Sequence, residues 1–226
     1  LKWPEDTINS SINLTRHFYD IDNANLNYTA TNTQNVSIYI ENITGKVNIT
    51  PNANWSGIAY AVFTAIDNAG LTASGNNITL NVTPVNDQPT FTGTIPQWKW
   101  PEDAVNNSLN LTQYFSDIDG DALKYNYSLL NNISISINNN TGIVTFTPDG
   151  NFTGIRYTIF YAADVKNITI SSNNVTLNVT PINDPPVIGS FTPADLTQTI
   201  ILGNSLAFNH TSFDVDGDTL TYSWKL

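Results

Sequence analysis

The chain has 226 residues and a formal net charge of −11, with eight lysines and arginines against nineteen acids. Phosphate recognition needs a basic face, so the composition argues against a nucleic-acid partner. There is no cysteine, which removes disulfides, thiolate metal sites and cysteine nucleophiles together, and no run approaches the roughly 18 apolar residues of a membrane span.

In chain order, Lys2-Trp3-Pro4-Glu5-Asp6 comes first and recurs as Lys99-Trp100-Pro101-Glu102-Asp103. A proline beside a strand start suits an edge strand. Asn27-Tyr28, Ser37-Ile38-Tyr39-Ile40 and Val47-Asn48-Ile49 read as short alternating strands, with a hairpin turn at Thr44-Gly45-Lys46. Thr50-Pro51-Asn52-Ala53-Asn54-Trp55-Ser56-Gly57 returns as Thr147-Pro148-Asp149-Gly150-Asn151-Phe152-Thr153-Gly154. Strands that end at Ala65-Ile66-Asp67 and Ala163-Asp164 follow the two copies. The clearest alternation puts Ile78, Leu80 and Val82 between Asn77, Thr79, Asn81 and Thr83, and repeats at Val175, Leu177 and Val179. That pattern gives one buried and one wet face. Pro84-Val85-Asn86-Asp87-Gln88-Pro89 and Pro181-Ile182-Asn183-Asp184-Pro185-Pro186 read as stiff, extended linkers. The fold expected is all-β: tandem antiparallel Greek-key, immunoglobulin-like sandwiches, at 1–88, 89–185 and, for the N-terminal part of a third, 186–226. The chain is expected to be a piece of a longer polypeptide.

The repeat carries its acid at fixed places. Asp20-Ile21-Asp22 returns 97 residues later as Asp117-Ile118-Asp119-Gly120-Asp121, and after the same interval as Asp214-Val215-Asp216-Gly217-Asp218. Sixteen of the nineteen acids occupy recurrent positions; only Glu41, Asp149 and Asp195 lie outside. Alternating carboxylates repel one another, and a hard cation that takes oxygen ligands, usually calcium, relieves this. The plain alternative is turn chemistry, in which Asp and Asn bond their own backbone. An EF-hand does not fit, since Ala122 and Ser128 stand where its glycine and glutamate belong.

Pro-Glu-Asp, Asp-x-Asp-Gly-Asp, Thr-Pro-x-x-Asn-aromatic-x-Gly, Ala-x-Asp and Val-Thr-Pro-Val-Asn-Asp-x-Pro, taken together, resemble the cadherin-like tandem repeats of microbial surface proteins over both full modules. The third segment, with Asp214-Val215-Asp216-Gly217-Asp218, is similar to polycystic-kidney-disease-type sandwiches. The cadherin resemblance implies calcium at each junction. The first would use Glu5, Asn86, Asp87, Asp117, Asp119 and Asp164. The second would use Glu102, Asn183, Asp184, Asp214 and Asp216. Asp20, Asp22 and Asp67 would face a preceding linker. The mid-module acidic motif of cadherins is replaced here by the Asn54 and Asn151 segments.

Nineteen Asn-x-Ser/Thr acceptor sites exceed what the Asn, Ser and Thr content gives by chance. They are Asn9, Asn13, Asn27, Asn35, Asn42, Asn48, Asn54, Asn77, Asn81, Asn106, Asn110, Asn126, Asn132, Asn139, Asn151, Asn167, Asn174, Asn178 and Asn209. N-glycans on them would coat the sandwiches. His17 and His210 do not match across repeats. No nucleophile elbow, phosphate loop or zinc spacing occurs, and carboxylates recurring once per module suit a structural ion better than a glycosidase site. Trp3, Trp55, Trp98, Trp100 and Trp224 are expected mostly in cores rather than on a sugar platform. The expected function is a calcium-rigidified, glycosylated, non-enzymatic rod in a cell-surface layer, filament or adhesive stalk, archaeal by preference. Its partners would be neighbouring copies or other surface proteins. The alternative is a carbohydrate- or ligand-binding module appended to a larger surface protein or enzyme.

Overall fold

A computed structural model describes residues 1–22, 25–31, 33–195 and 197–223. It divides into two compact units: Leu1–Gln88 with Asp117–Asp121, and Pro89–Ser116 with Ala122–Leu226. Among the described residues, apart from two 3₁₀ turns, Leu14–Arg16 and Leu111–Gln113, the regular structure is all strand.

The first unit contains β1 (Lys2–Pro4), β2 (Asn27–Ala30), β3 (Val36–Glu41), β4 (Lys46–Pro51), β5 (Gly57–Ala61), β6 (Phe63–Ile66), β7 (Thr72–Ser74) and β8 (Ile78–Thr83). They form sheets ordered β1-β8-β5, β2-β6-β7 and β3-β4. Inward residues alternate along each strand, and Leu14, Val47, Ile49, Phe63, Leu80 and Val82 meet in one buried cluster. That is the sandwich expected when period-2 faces close on one another. The β3–β4 turn ends on Gly45 at φ +67°, where an added Cβ would stand 2.8 Å from the Thr15 backbone nitrogen. Only glycine fits there.

The second unit repeats this plan. It contains β9 (Thr90–Phe91), β10 (Trp98–Pro101), β11 (Asn106–Asn110), β12 (Phe115–Ser116), β13 (Lys124–Tyr127), β14 (Ile133–Ile137), β15 (Ile143–Pro148), β16 (Gly154–Thr158), β17 (Phe160–Ala163), β18 (Thr169–Ser171), β19 (Val175–Thr180), β20 (Val187–Thr192) and β21 (Asn209–Phe213). Sheets β10-β19-β16, β11-β15-β14 and β13-β17-β18 enclose Leu111, Val144, Phe146, Phe160, Val175 and Leu177, a short pair β9-β12 adds Phe91 and Phe115, and β20 pairs with β21.

One feature corrects the antiparallel expectation. β1 pairs in parallel with β8, and β10 with β19: Lys2 with Asn81 and Trp3 with Val82, then Trp98 with Leu177 and Trp100 with Val179. Trp3 and Trp100 are buried, and each ring N–H donates to a backbone carbonyl, Thr7 at 3.2 Å and Ala104 at 3.1 Å. Pro4 and Pro101 cannot donate to the ladder, but they stay in register with Thr83 and Thr180, and the N–H of the next residue makes the closing bond to those same residues' carbonyls. The chain then turns through Asp6 and Asp103, at φ +56° and +58°.

Candidate metal centre

Each Trp-Pro-Glu-Asp motif places two acids by ordinary strand mechanics. The N–H of Glu5 donates to the Thr83 carbonyl at 2.9 Å, and the Glu5 carboxylate accepts from the Val85 N–H at 2.7 Å. Glu102 repeats both bonds, to Thr180 at 2.9 Å and from Ile182 at 2.9 Å. These two glutamates are 3% and 2% exposed. A buried carboxylate is tolerated only when it is paired or hydrogen-bonded, and here one oxygen ties the motif to the segment after β8 or β19. Asp6 and Asp103 accept the N–H groups of Asn54 and Asn151, at 2.9 and 3.3 Å. The Asn54 and Asn151 segments therefore serve as supports for the motif's second acid.

The acidic loops wrap around their first aspartate. Asp117 Oδ1 accepts from the N–H groups of Asp119 at 2.9 Å and Asp121 at 3.4 Å, with Gly120 at φ +77° letting the chain turn. Asp214 does the same for Asp216 at 3.0 Å and Asp218 at 3.3 Å, around Gly217 at φ +81°. This much is the turn chemistry foreseen as the plain reading. Two further contacts go beyond a turn. The N–H of Asp87 donates to Asp119 Oδ2 at 2.7 Å, and the N–H of Asp184 donates to Asp216 Oδ2 at 2.6 Å. Both join residues 32 apart in sequence, and both gather carboxylates of consecutive repeats. Asn86 and Asn183 each bond the following carbonyl through Nδ2, which shapes the segment between.

Two carboxylate oxygens in the first cluster, Asp87 Oδ2 and Asp117 Oδ2, are buried without a hydrogen-bond partner. In the second cluster Glu102, Asp184 and Asp216 each bring one oxygen to within 4.8 Å of the others, and among the described residues no other acidic group closes as far. A set of oxygen donors only, with orphaned carboxylate oxygens and no nitrogen or sulfur, suits a hard cation such as calcium.

The electrostatics agree. The Asp87 carboxyl is pushed above its ordinary value by loss of hydration first, then by Asp119, Asp6 and Asp117. Asp184 is pushed up in the same way, with Asp103 and Asp216 the leading neighbours. A carboxyl with a raised pKa in the fold holds its proton longer there than in the unfolded chain. Without a cation, stability therefore falls as pH rises from the ordinary carboxylate value through the raised one. Melting in calcium-free buffer is expected to move to higher temperature as pH is lowered from neutrality toward the ordinary carboxylate range, and D87N with D184N to flatten that trend. A melting temperature that climbs with pH across this window would contradict it.

Asp164, in the second unit, is 1% exposed and accepts from the N–H groups of Lys166 and Ile168, both at 2.8 Å. Asp67 accepts from Leu71 at 2.7 Å and shares a depression with Asp20, whose carboxylate caps Asp22 at 2.8 Å. Asp6 and Asp103 were not among the expected ligands, although their recurrence was visible; their charge bears on Asp87 and Asp184. Of the tryptophans, Trp3 and Trp100 are core, Trp55 and Trp98 are half-buried, and Trp224 lies outside the described residues. None of the nineteen acceptor asparagines is buried.

No protein-family model matches the chain, and no curated protein matches it. Among solved structures, a mouse cadherin-23 EC22-24 fragment is 12% identical at a TM-score of 0.47, over 70% of this chain and 53% of that one. Human protocadherin-24 EC1-2 is 15% identical at 0.47, over 74% and 85%. An endo-fucoidan hydrolase of glycoside hydrolase family 107 is 18% identical at 0.33, and this chain spans 28% of its length. The fold assignment rests on the strands and cores described above.

Proposed function

We propose that the chain is a non-catalytic stretch of an extracellular array of β-sandwich repeats, microbial in origin, in which the acidic clusters bind calcium and stiffen one repeat against the next. The observation that carries this reading is the repeated bond from Asp87 to Asp119 and from Asp184 to Asp216, with orphaned oxygens of Asp87 and Asp117 beside the first. Glu5, Asp87, Asp117 and Asp119 would hold one ion; Glu102, Asp184, Asp214 and Asp216 would hold another. Bound calcium supplies positive charge that cancels repulsion among these acids. The chain's own part is to fix them, with buried glutamates anchoring the post-strand segments and glycine turns folding each acidic loop around its first aspartate.

Glycosylation of the exposed acceptor asparagines belongs to the same reading. Sugars on the wet strand faces would protect edges that lack covering strands. Such an array suits a surface layer, filament or adhesive stalk, its partners being neighbouring copies or other surface proteins. Small-angle scattering tests the mechanical part. Chelation is expected to broaden the distance distribution as the joints loosen, and re-added calcium to restore it. Profiles that superimpose with and without calcium would sink the stiffening role.

A further inference from the structure

We infer that on each unit an exposed isoleucine–tyrosine pair seats one of the chain's own N-glycans. Ile58 and Tyr60 receive the first sugar on Asn81, and Ile155 and Tyr157 receive the first sugar on Asn178. The inference rests on the reading that acceptor asparagines are glycosylated, and adds that these two sugars pack on the protein.

The placement follows from strand register. β5 pairs with β8 so that Ile58 lies opposite Asn81 and Tyr60 opposite Thr79. β16 pairs with β19 so that Ile155 lies opposite Asn178 and Tyr157 opposite Thr176. Opposed residues of an antiparallel pair share a face. Here it is the outer face, because Leu80, Val82, Leu177 and Val179 take the core side. The Asn81 N–H is spent on the Leu1 carbonyl at 3.0 Å, on the β1 side. Its pairing with Ile58 is therefore of the kind without ladder bonds, in which Cα atoms stand only about 4.5 Å apart. Tyr60 and Tyr157 are the diagonal neighbours, about 7–8 Å away and within reach of a long side chain. On the far side, Lys2 and Lys99 stand in parallel register with the same two asparagines.

Burial does not account for these pairs. Ile58 and Tyr60 are 59% and 56% exposed, and Ile155 and Tyr157 are 48% and 56% exposed. Single exposed apolar side chains are ordinary, but these four recur at an interval of 97 residues. Exposed Tyr19 and Tyr39 do not recur, since Ser116 and Ser136 stand at the matching places. A hexose ring has a face of C–H groups, and an aromatic ring carries its negative quadrupole on its face, so the two stack. Isoleucine covers further C–H surface, and a lysine ammonium donates to sugar hydroxyls. Among the described residues neither Asn81 nor Asn178 makes a side-chain hydrogen bond, whereas Asn13, Asn42, Asn110 and Asn139 accept backbone N–H groups. Attachment forms a bond from Asn Nδ2 to the anomeric carbon; Nδ2 gives up a proton, and the phosphate ester of an activated sugar donor leaves.

The test is a cycle of melts on the 226-residue chain secreted from an N-glycosylating eukaryotic host, with peptide mass spectrometry to read which asparagines carry sugar. Asn81 and Asn178 are expected to be occupied. Tyr60→Ser with Tyr157→Ser is expected to lower the melting temperature roughly 3–8 °C further in the glycosylated chain than in an Asn81→Gln, Asn178→Gln background. Both tyrosines face solvent, so the variants are expected to fold. An equal cost in the two backgrounds would overturn the inference and leave glycosylation standing. Bare Asn81 and Asn178 on a chain glycosylated elsewhere would do the same. A chain with sugar on none of its acceptors would remove the glycosylation reading, and this inference with it.

Discussion

Exchanging Asp184 and Asp216 for asparagine is expected to raise the melting temperature in EGTA and to abolish the shift that calcium gives to the second unit. The sign reversal follows from the cluster itself. Without a cation, loss of hydration first and then the neighbouring charges of Asp103 and Asp216 disfavour the ionised Asp184, so neutral side chains at 184 and 216 relieve that cost. With a cation they are ligands, and their loss removes binding that favours the folded state. At a calcium concentration about 100 times its Kd, that binding contributes about 2.7 kcal/mol, on the order of 10 °C for a module of this size. Turn chemistry alone predicts a different outcome. Asn replaces Asp well as a turn residue, so the variant would melt like the parent in both buffers. Parallel melts with EGTA and with calcium distinguish the two.

Phe146→Ala is expected to destabilise the second unit by about 3–5 kcal/mol, the usual cost of emptying a buried aromatic site. Phe146 is 0% exposed, lies between Trp100 at 5.6 Å and Phe160 at 6.3 Å, and packs with strands from both faces of the sandwich. The motif that positions Glu102 begins at Trp100, so this core supports the candidate metal centre as well as the fold. Denaturant unfolding followed by tryptophan fluorescence checks the magnitude. A loss under about 1 kcal/mol would mean that the site collapses without leaving a cavity.

Much of the fold could be read from the residues. Ile78, Leu80 and Val82 alternate with polar neighbours on β8, and a period of two allows only one face to be buried. Gly45 between β3 and β4 marked its turn because few other residues take that backbone conformation. The parallel pairing of β1 was not legible. Lys2-Trp3-Pro4 is too short to show a period, and strand direction depends on the partner rather than on local sequence. For the candidate site, the recurrence of Asp117 and Asp214 marked which acids matter. That Asp87 would meet Asp119 came only through the resemblance, since nothing in residues 87 to 119 encodes the contact locally. The burial of Glu5 and Glu102 was also hidden. A glutamate after a proline reads as exposed until the neighbouring strand supplies an N–H for its carboxylate. Asp6 and Asp103 carried the recurrence signal but no ligand pattern, because their place is set by Asn54 and Asn151, 48 residues away.

Equilibrium dialysis of the 226-residue chain against calcium, with magnesium as competitor, tests the central claim most directly. Two or more calcium ions per chain are expected to be retained with Kd values of roughly 0.1–1 mM. Excess magnesium should displace them poorly, because it demands a smaller, octahedral and more hydrated site. A chain that retains no calcium at millimolar free concentration, or that loses it equally to magnesium, would contradict the account and leave the aspartates as turn residues.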